Sequence, residues 1–338
     1  MSDNEILIPF AQGVAQQGDS LTDTVQRTQA WLNTLDLEAM RRSALLFAGI
    51  GASYAVLASP VHELRAAGIR AFRSNGDDMP TGTPVLADWY IGVSQSGRSP
   101  EVVRILQQQR HGRRLTIVNQ ARSPLERISG QPLWLGTLID SSMSSVALMA
   151  TSVSLGLLTD ALIGRDETAG WLTLPQTLAA QRPSADAVIA RFVARLNNPG
   201  CIDLVGGGSS LSAAEQGALL LREGPKAAAM GMGTRHYLHG MTDAVGSTAH
   251  VLIGGEREIL LAKQMSAFGV PVLLITDTPQ SLPGVETLIL PSLPPLQRLA
   301  LELLAMELLA IHLGAVLGRD IDAGIVERLD TKINGETL

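Results

Sequence analysis

The residues best suited to chemistry in this chain sit in two glycine-and-serine turns. One is Gly49-Ile50-Gly51-Ala52-Ser53, and the other is Ser94-Gln95-Ser96-Gly97-Arg98-Ser99. Glycine lets backbone N–H groups approach a ligand closely, and where such a turn opens a helix the dipole favours an anion. The hydroxyls of Ser53, Ser94, Ser96 and Ser99, with the Gln95 amide among them, add neutral donors. That combination suits a phosphate monoester. Taken singly, each turn reads better as helix capping; taken together, they point to an anion site. A dinucleotide site does not fit. The fingerprint wants a third glycine where Tyr54 stands, and an acid near Arg70 and Arg73. No Gly-Lys-Ser/Thr follows either turn, so a P-loop does not fit either.

The elements that must position these turns follow from the hydrophobic pattern. Residues up to about 42 repeat apolar positions at helical spacing. Apolar runs at 45–48, 69–72, 89–93, 115–118 and 133–138 read as strands, each separated from the next by a helix or a turn. Ser99 suits an N-cap and Pro100 a first helical position. A long apolar helix is expected over 146–163. After a linker at 166–184 the plan repeats. Cys201 to Val205 leads into Gly206-Gly207-Gly208-Ser209-Ser210, the same Gly-x-Gly-[Ala/Ser]-Ser pattern as at 49–53. A helix over 212–222, strands at 251–253, 272–275 and 288–290, and a long helix near 296–317 complete the second copy. Strands alternating with helices indicate parallel α/β sheets. The glycine-rich stretch with Met230, Met232 and Met241 reads as loop packing.

Composition limits the functions. The 338 residues suggest two domains. Charged residues are 17% of the chain, below the roughly 25% usual for soluble domains, so much surface should be hidden in cores or a subunit interface. A net charge of −6 and 4% aromatic residues argue against binding nucleic acid. The single cysteine, Cys201, excludes an intrachain disulfide and a cysteine metal cluster, and fits a reducing, cytoplasmic location. The N-terminus lacks a signal-peptide pattern. The apolar stretch 299–317 carries Glu302, Glu307 and His312, so it is expected as a buried helix rather than a membrane span. Neither His236 with His239 nor Asp77 with Asp78 makes a metal set, and no cofactor is expected.

On the Gly51-Ala52-Ser53-Tyr54 turn, the Ser-x-Ser-Gly-x-Ser turn and the repeated plan, the chain resembles the sugar isomerase (SIS) domain family. That family includes the isomerase half of glucosamine-6-phosphate synthase and stand-alone phosphosugar isomerases, deaminases and deglycases. The resemblance spans about residues 25–335. It implies two doubly wound, flavodoxin-like parallel-sheet domains in tandem, each a three-layer α/β/α unit. The expected bounds are a helical segment at 1–42, domains at 43–165 and 185–318, and a tail at 319–338 lying over the active site.

The resemblance also implies roles. Ser53, Ser94, Gln95, Ser96 and Ser99 fall on the phosphate-binding positions. A further loop, at Ser142 to Ser145, puts Ser144 and Ser145 among the substrate contacts, with Val146 where relatives carry lysine. Glu223 falls at the end of a helix that carries the catalytic glutamate, and His239-Gly240 follows sixteen residues later, as the family pattern requires. Lys332 is the nearest equivalent of a tail lysine beside the sugar. Departures include Leu220 for a lysine and Gln216 for an acid on the Glu223 helix.

These residue types match the demands of an aldose–ketose or ketosamine phosphate reaction. The phosphate is held by hydroxyls. His239 has the titration range to open a ring, and Glu223 could move a proton between carbons. Lys332 or Arg222 could face the enediolate oxygen. The expected activity is an isomerase, deaminase or deglycase acting on a hexose, amino-sugar or ketosamine 6-phosphate, without glutaminase activity, in a homodimer; the resemblance implies that sites of this kind commonly form between subunits. The alternative is a non-catalytic phosphosugar sensor.

Overall fold

The computed structural model describes residues 7–79, 82, 85–327 and 331–333. Their apolar runs form ten strands in two all-parallel sheets. The first sheet holds β1 (Leu45–Ala48), β2 (Ala71–Ser74), β3 (Trp89–Ser94), β4 (Arg114–Val118) and β5 (Gln131–Trp134), in the order β2-β1-β3-β4-β5. The second holds β6 (Cys201–Gly206), β7 (Ala229–Gly233), β8 (Thr248–Ile253), β9 (Val272–Thr276) and β10 (Val285–Ile289), in the order β10-β9-β8-β6-β7. Read from the other edge, that is the order of the first sheet. With flanking helices, each is a doubly wound α/β sheet, the class expected from the sequence.

The chain divides into two units. One comprises residues up to Pro175 together with the described tail residues from Ile325 onward; the other is Gln176–Gly324. From Thr168 onward the stretch 166–184, expected as a linker, belongs to a single helix, Thr168–Ala194, and the division falls inside it. In the first unit Leu46, Ala48, Tyr90, Val102 and Leu106 share a buried cluster. In the second, Val205, Leu252, Leu261 and Leu274 do the same. Central strands β1, β3, β8 and β9 are buried along their whole length, as strands covered on both faces must be.

Two helices, Val146–Ile163 and Pro295–Val316, have the length and hydropathy of membrane spans, and 89% and 78% of their apolar windows are buried inside the fold. The first is apolar on every side, with sixteen buried residues reaching from Val146 to Leu162. A helix apolar all round needs cover all round, which here comes from protein.

The structure corrects one stretch of the sequence reading. Met230 and Met232 lie in strand β7 rather than in a loop. A Cβ on Gly231 would fall 2.5 Å from the Ala214 carbonyl oxygen and 2.6 Å from the Glu215 Cα, on the helix Leu211–Glu223. The glycine allows the helix to lie directly on the strand, and it also removes the apolar alternation that marks a strand in sequence.

Candidate functional site

In an open parallel sheet of this order the crevice opens where connections leave in opposite directions, between β1 and β3. These strands pair directly, Ala48 opposite Gly92. The two turns singled out in the sequence follow these two strands. A Cβ on Gly49 would lie 2.9 Å from the Ser53 carbonyl carbon, and Gly51 takes φ 57°, so both glycines are required for the chain to double back at Ser53. The same turn recurs after β6. There a Cβ on Gly206 would lie 2.4 Å from the Ser210 carbonyl oxygen, and Gly208 takes φ 58°.

The loop after β3 is held by its own hydroxyls. Ser94 Oγ accepts from the Gly97 N–H at 3.1 Å and pairs with Ser99 Oγ at 3.1 Å. Ser96 Oγ accepts from the Arg98 N–H at 3.3 Å. The Gln95 carbonyl takes the Asn119 N–H at 3.0 Å, and the Gly97 carbonyl takes the Leu125 N–H at 3.0 Å. Gly97 adopts φ 62°. Ser94, Ser96 and Ser99 are buried, and Ser53 is half-buried. Arg73, at the end of β2, lies 4.3 Å over the Tyr54 ring, which puts a cation beside the Ser53 turn.

Ser99 occupies the N-cap position of the helix Pro100–Gln107, as the sequence suggests, yet its hydroxyl turns to Ser94 and the helix has no side-chain cap. The short helix Ala52–Ala55 has none either. Two other elements contrast with this. The Asp140 carboxylate accepts from the backbone N–H groups of Ser145 (2.9 Å), Val146 (3.0 Å) and Ala147 (3.3 Å), filling the start of the helix Val146–Ile163. It also accepts the hydroxyls of Ser144 (2.7 Å) and Ser145 (3.2 Å). Those two serines, expected among the substrate contacts, are thus placed on an internal carboxylate, and Ser145 is fully buried. After β8, the carboxylate of buried Glu258 accepts from the Gly255 N–H at 3.0 Å and from the Thr234 hydroxyl. A Cβ on Gly207 or Gly254 would come within 2.8 or 2.4 Å of that carboxylate. The crevice of the second sheet therefore carries a carboxyl group of its own, held between two glycines. Further back, Glu302 accepts from Ser210 (2.8 Å) and Arg298 (3.1 Å). Burial pushes its carboxyl up, against the pull of Arg298 and Ser210.

The remaining expected residues are divided between the units. In the first, the Ile333 N–H donates to the Arg98 carbonyl at 2.9 Å, so the tail meets the serine loop and the exposed Lys332 stands next to that contact. In the second, Glu223 is the last residue of the helix Leu211–Glu223 and is half-buried. His239 is exposed, just past the short helix Thr234–Tyr237. Leu220 and Gln216 are both buried on the Glu223 helix. Among the described residues no His, Cys, Asp and Glu group is arranged to hold a metal. Sequence reasoning missed Asp140, Glu258 and a buried set formed by Asp203, Tyr237 and His250. Asp140 lies five residues ahead of the N-cap, and the others join separate elements, so no local pattern marks them.

No family model matches the chain, and no curated protein matches it in sequence. Solved structures match over nearly the whole length. The C-terminal domain of glucosamine-fructose-6-phosphate aminotransferase from Francisella tularensis superposes with a TM-score of 0.80 at 17% identity, covering 95% of this chain and 99% of that one. Tagatose-6-phosphate ketose/aldose isomerase from Escherichia coli gives 0.76 at 16% identity, covering 94% and 96%. Glucosamine-6-phosphate deaminase from Thermotoga maritima gives 0.69 at 18% identity, covering 92% and 97%. At these identities the likeness establishes the fold, which this chain shares with these three structures.

Proposed function

We propose that the chain is a phosphosugar-processing enzyme that opens and enolises a hexose, amino-sugar or ketosamine 6-phosphate, as an isomerase, deaminase or deglycase. One observation carries the reading. The helix behind the Ser94–Ser99 loop starts without a side-chain cap, at the crevice between β1 and β3, whereas Asp140 and Glu258 accept backbone N–H groups at the starts of two other helices. Backbone N–H groups and neutral hydroxyls at a helix start favour a phosphate dianion without a basic patch. This agrees with a chain of net charge −6. The deaminase and isomerase among the similar structures act on sugar 6-phosphates by name, which supports the substrate class.

In this reading Ser53, Ser94, Ser96 and Ser99, with Gln95, hold the phosphate. His239 opens the ring, Glu223 carries the proton between C1 and C2, and Lys332 faces the developing oxyanion. A homodimer would let the exposed His239 serve a partner's site. The test is turnover of a panel of hexose, hexosamine and ketosamine 6-phosphates by the wild type and by Glu223→Gln. Turnover of at least one of them, lost by about 10²-fold or more in the variant, is the expected result. Unchanged turnover in Glu223→Gln would remove the assignment.

A further inference from the structure

The segment that carries His239 is fixed to the core of the second unit by one buried phenol. Tyr237 ends the helix Thr234–Tyr237 and has no exposed surface. Its hydroxyl lies 3.1 Å from Asp203 Oδ2 and 3.0 Å from His250 Nδ1. Asp203 and His250 face each other across β6 and β8, which pair at that position. Both are buried, and His250 Nε2 lies 3.2 Å from the Thr248 hydroxyl. With the imidazole neutral, the Tyr237 O–H can donate to Asp203, the His250 Nδ1–H to the Tyr237 oxygen, and the Thr248 O–H to His250 Nε2. Burial pushes the His250 ring down to about 4, which keeps it neutral near pH 7.

Around this anchor the surface residues follow in register. The Leu238 N–H donates to the Thr234 carbonyl at 3.1 Å, and the His239 N–H donates to the His236 carbonyl at 3.1 Å, so the helical turn continues through His239. Gly240 then breaks it at φ 106°. The other end of the turn is tied by the Thr234 hydroxyl on Glu258. Arg235, His236, Leu238, His239 and Gly240 are all exposed, and Tyr237 is the one residue of that run with its side chain in the core. No such anchor is needed merely to hide the ring, since a phenylalanine would fill the same space.

We infer that Tyr237, held by Asp203 and His250, is a positioning residue that fixes where the His239 imidazole stands. The inference rests on the role proposed for His239 above. Tyr237→Phe keeps the ring and removes the hydroxyl. His250 Nδ1 and Asp203 Oδ2, 3.9 Å apart, can then close on each other, so the variant is expected to fold.

Two measurements decide it. Hydrogen exchange across residues 234–240 should speed up by roughly tenfold in Tyr237→Phe, with the strands of the sheet unchanged. On whichever sugar 6-phosphate of the panel is turned over, kcat should fall by about tenfold or more, with KM within about twofold, because small misplacements of a reacting group cost rate rather than binding. In a His239→Asn background, adding Tyr237→Phe should lower the residual kcat no further. Wild-type exchange in Tyr237→Phe, wild-type kcat, or an equal fall in the His239→Asn background would each overturn the positioning role while leaving the proposed function standing. No turnover of any panel member, or turnover indifferent to His239→Asn, would overturn the proposed function and this inference with it.

Discussion

Asp160 gives the structure's clearest pH-dependent prediction. It sits inside the apolar helix Val146–Ile163 with 4% of its surface exposed. Its partner is the Trp171 indole N–H, at 2.8 Å from Oδ2. Burial is the largest influence on its carboxyl and raises it from 3.8 to about 6; the Trp171 hydrogen bond and Arg165 only partly offset this. The folded state therefore holds this proton more tightly than the unfolded chain does. The stabilisation is complete below about pH 4 and is lost as pH rises to about 6; beyond that the cost is constant at about 3 kcal/mol. Asp160→Asn does not titrate, and its amide oxygen can still accept from Trp171. The variant should be more stable than the wild type at pH 7.5, and its advantage should grow by about 2 kcal/mol between pH 4.5 and 7.5. Urea unfolding followed by tryptophan fluorescence at a series of pH values measures that difference directly. A difference that stays flat with pH, or that shrinks as pH rises, would refute the assignment of burial as the cause.

Two further predictions concern loop geometry. Asp140→Ala leaves the starting N–H groups of the helix Val146–Ile163 without their acceptor, and should cost about 3 kcal/mol or more, read as a lowered urea midpoint. Gly97→Ala places a Cβ 2.1 Å from Ser123 Oγ at a left-handed φ of 62°, so the serine loop must shift; stability should fall by about 1–3 kcal/mol.

Much of the framework is legible in sequence because its signals are local. Runs such as Leu45–Ala48 and Val272–Thr276 announce buried strands, and the paired glycines at 49 and 51 and at 206 and 208 announce the same sharp turn twice. Other features depend on tertiary contact. The stretch 166–184 reads as a linker, yet the helix Thr168–Ala194 runs through Pro175 and Pro183, with Trp171, Leu174, Leu178, Val188 and Phe192 buried along it. Strand β7 is concealed by the glycine that lets a helix rest on it. The serine loop could be found by residue type. The reason its helix start is left open could not, because that depends on Ser99 turning to Ser94. Ile333 reaches Arg98 from the far end of the chain, a contact that no spacing rule reports.

The central claim is that the Ser94–Ser99 loop binds the phosphate of a sugar. Calorimetric titration with the hexose, hexosamine and ketosamine 6-phosphates, each beside its unphosphorylated sugar, tests it most directly when run on the wild type and on Gly97→Ala. The wild type should bind at least one 6-phosphate, the matching free sugar should bind at least about 10²-fold more weakly, and Gly97→Ala should lose the difference. Equal binding of sugar and sugar phosphate, or full phosphate-dependent binding by Gly97→Ala, would contradict it.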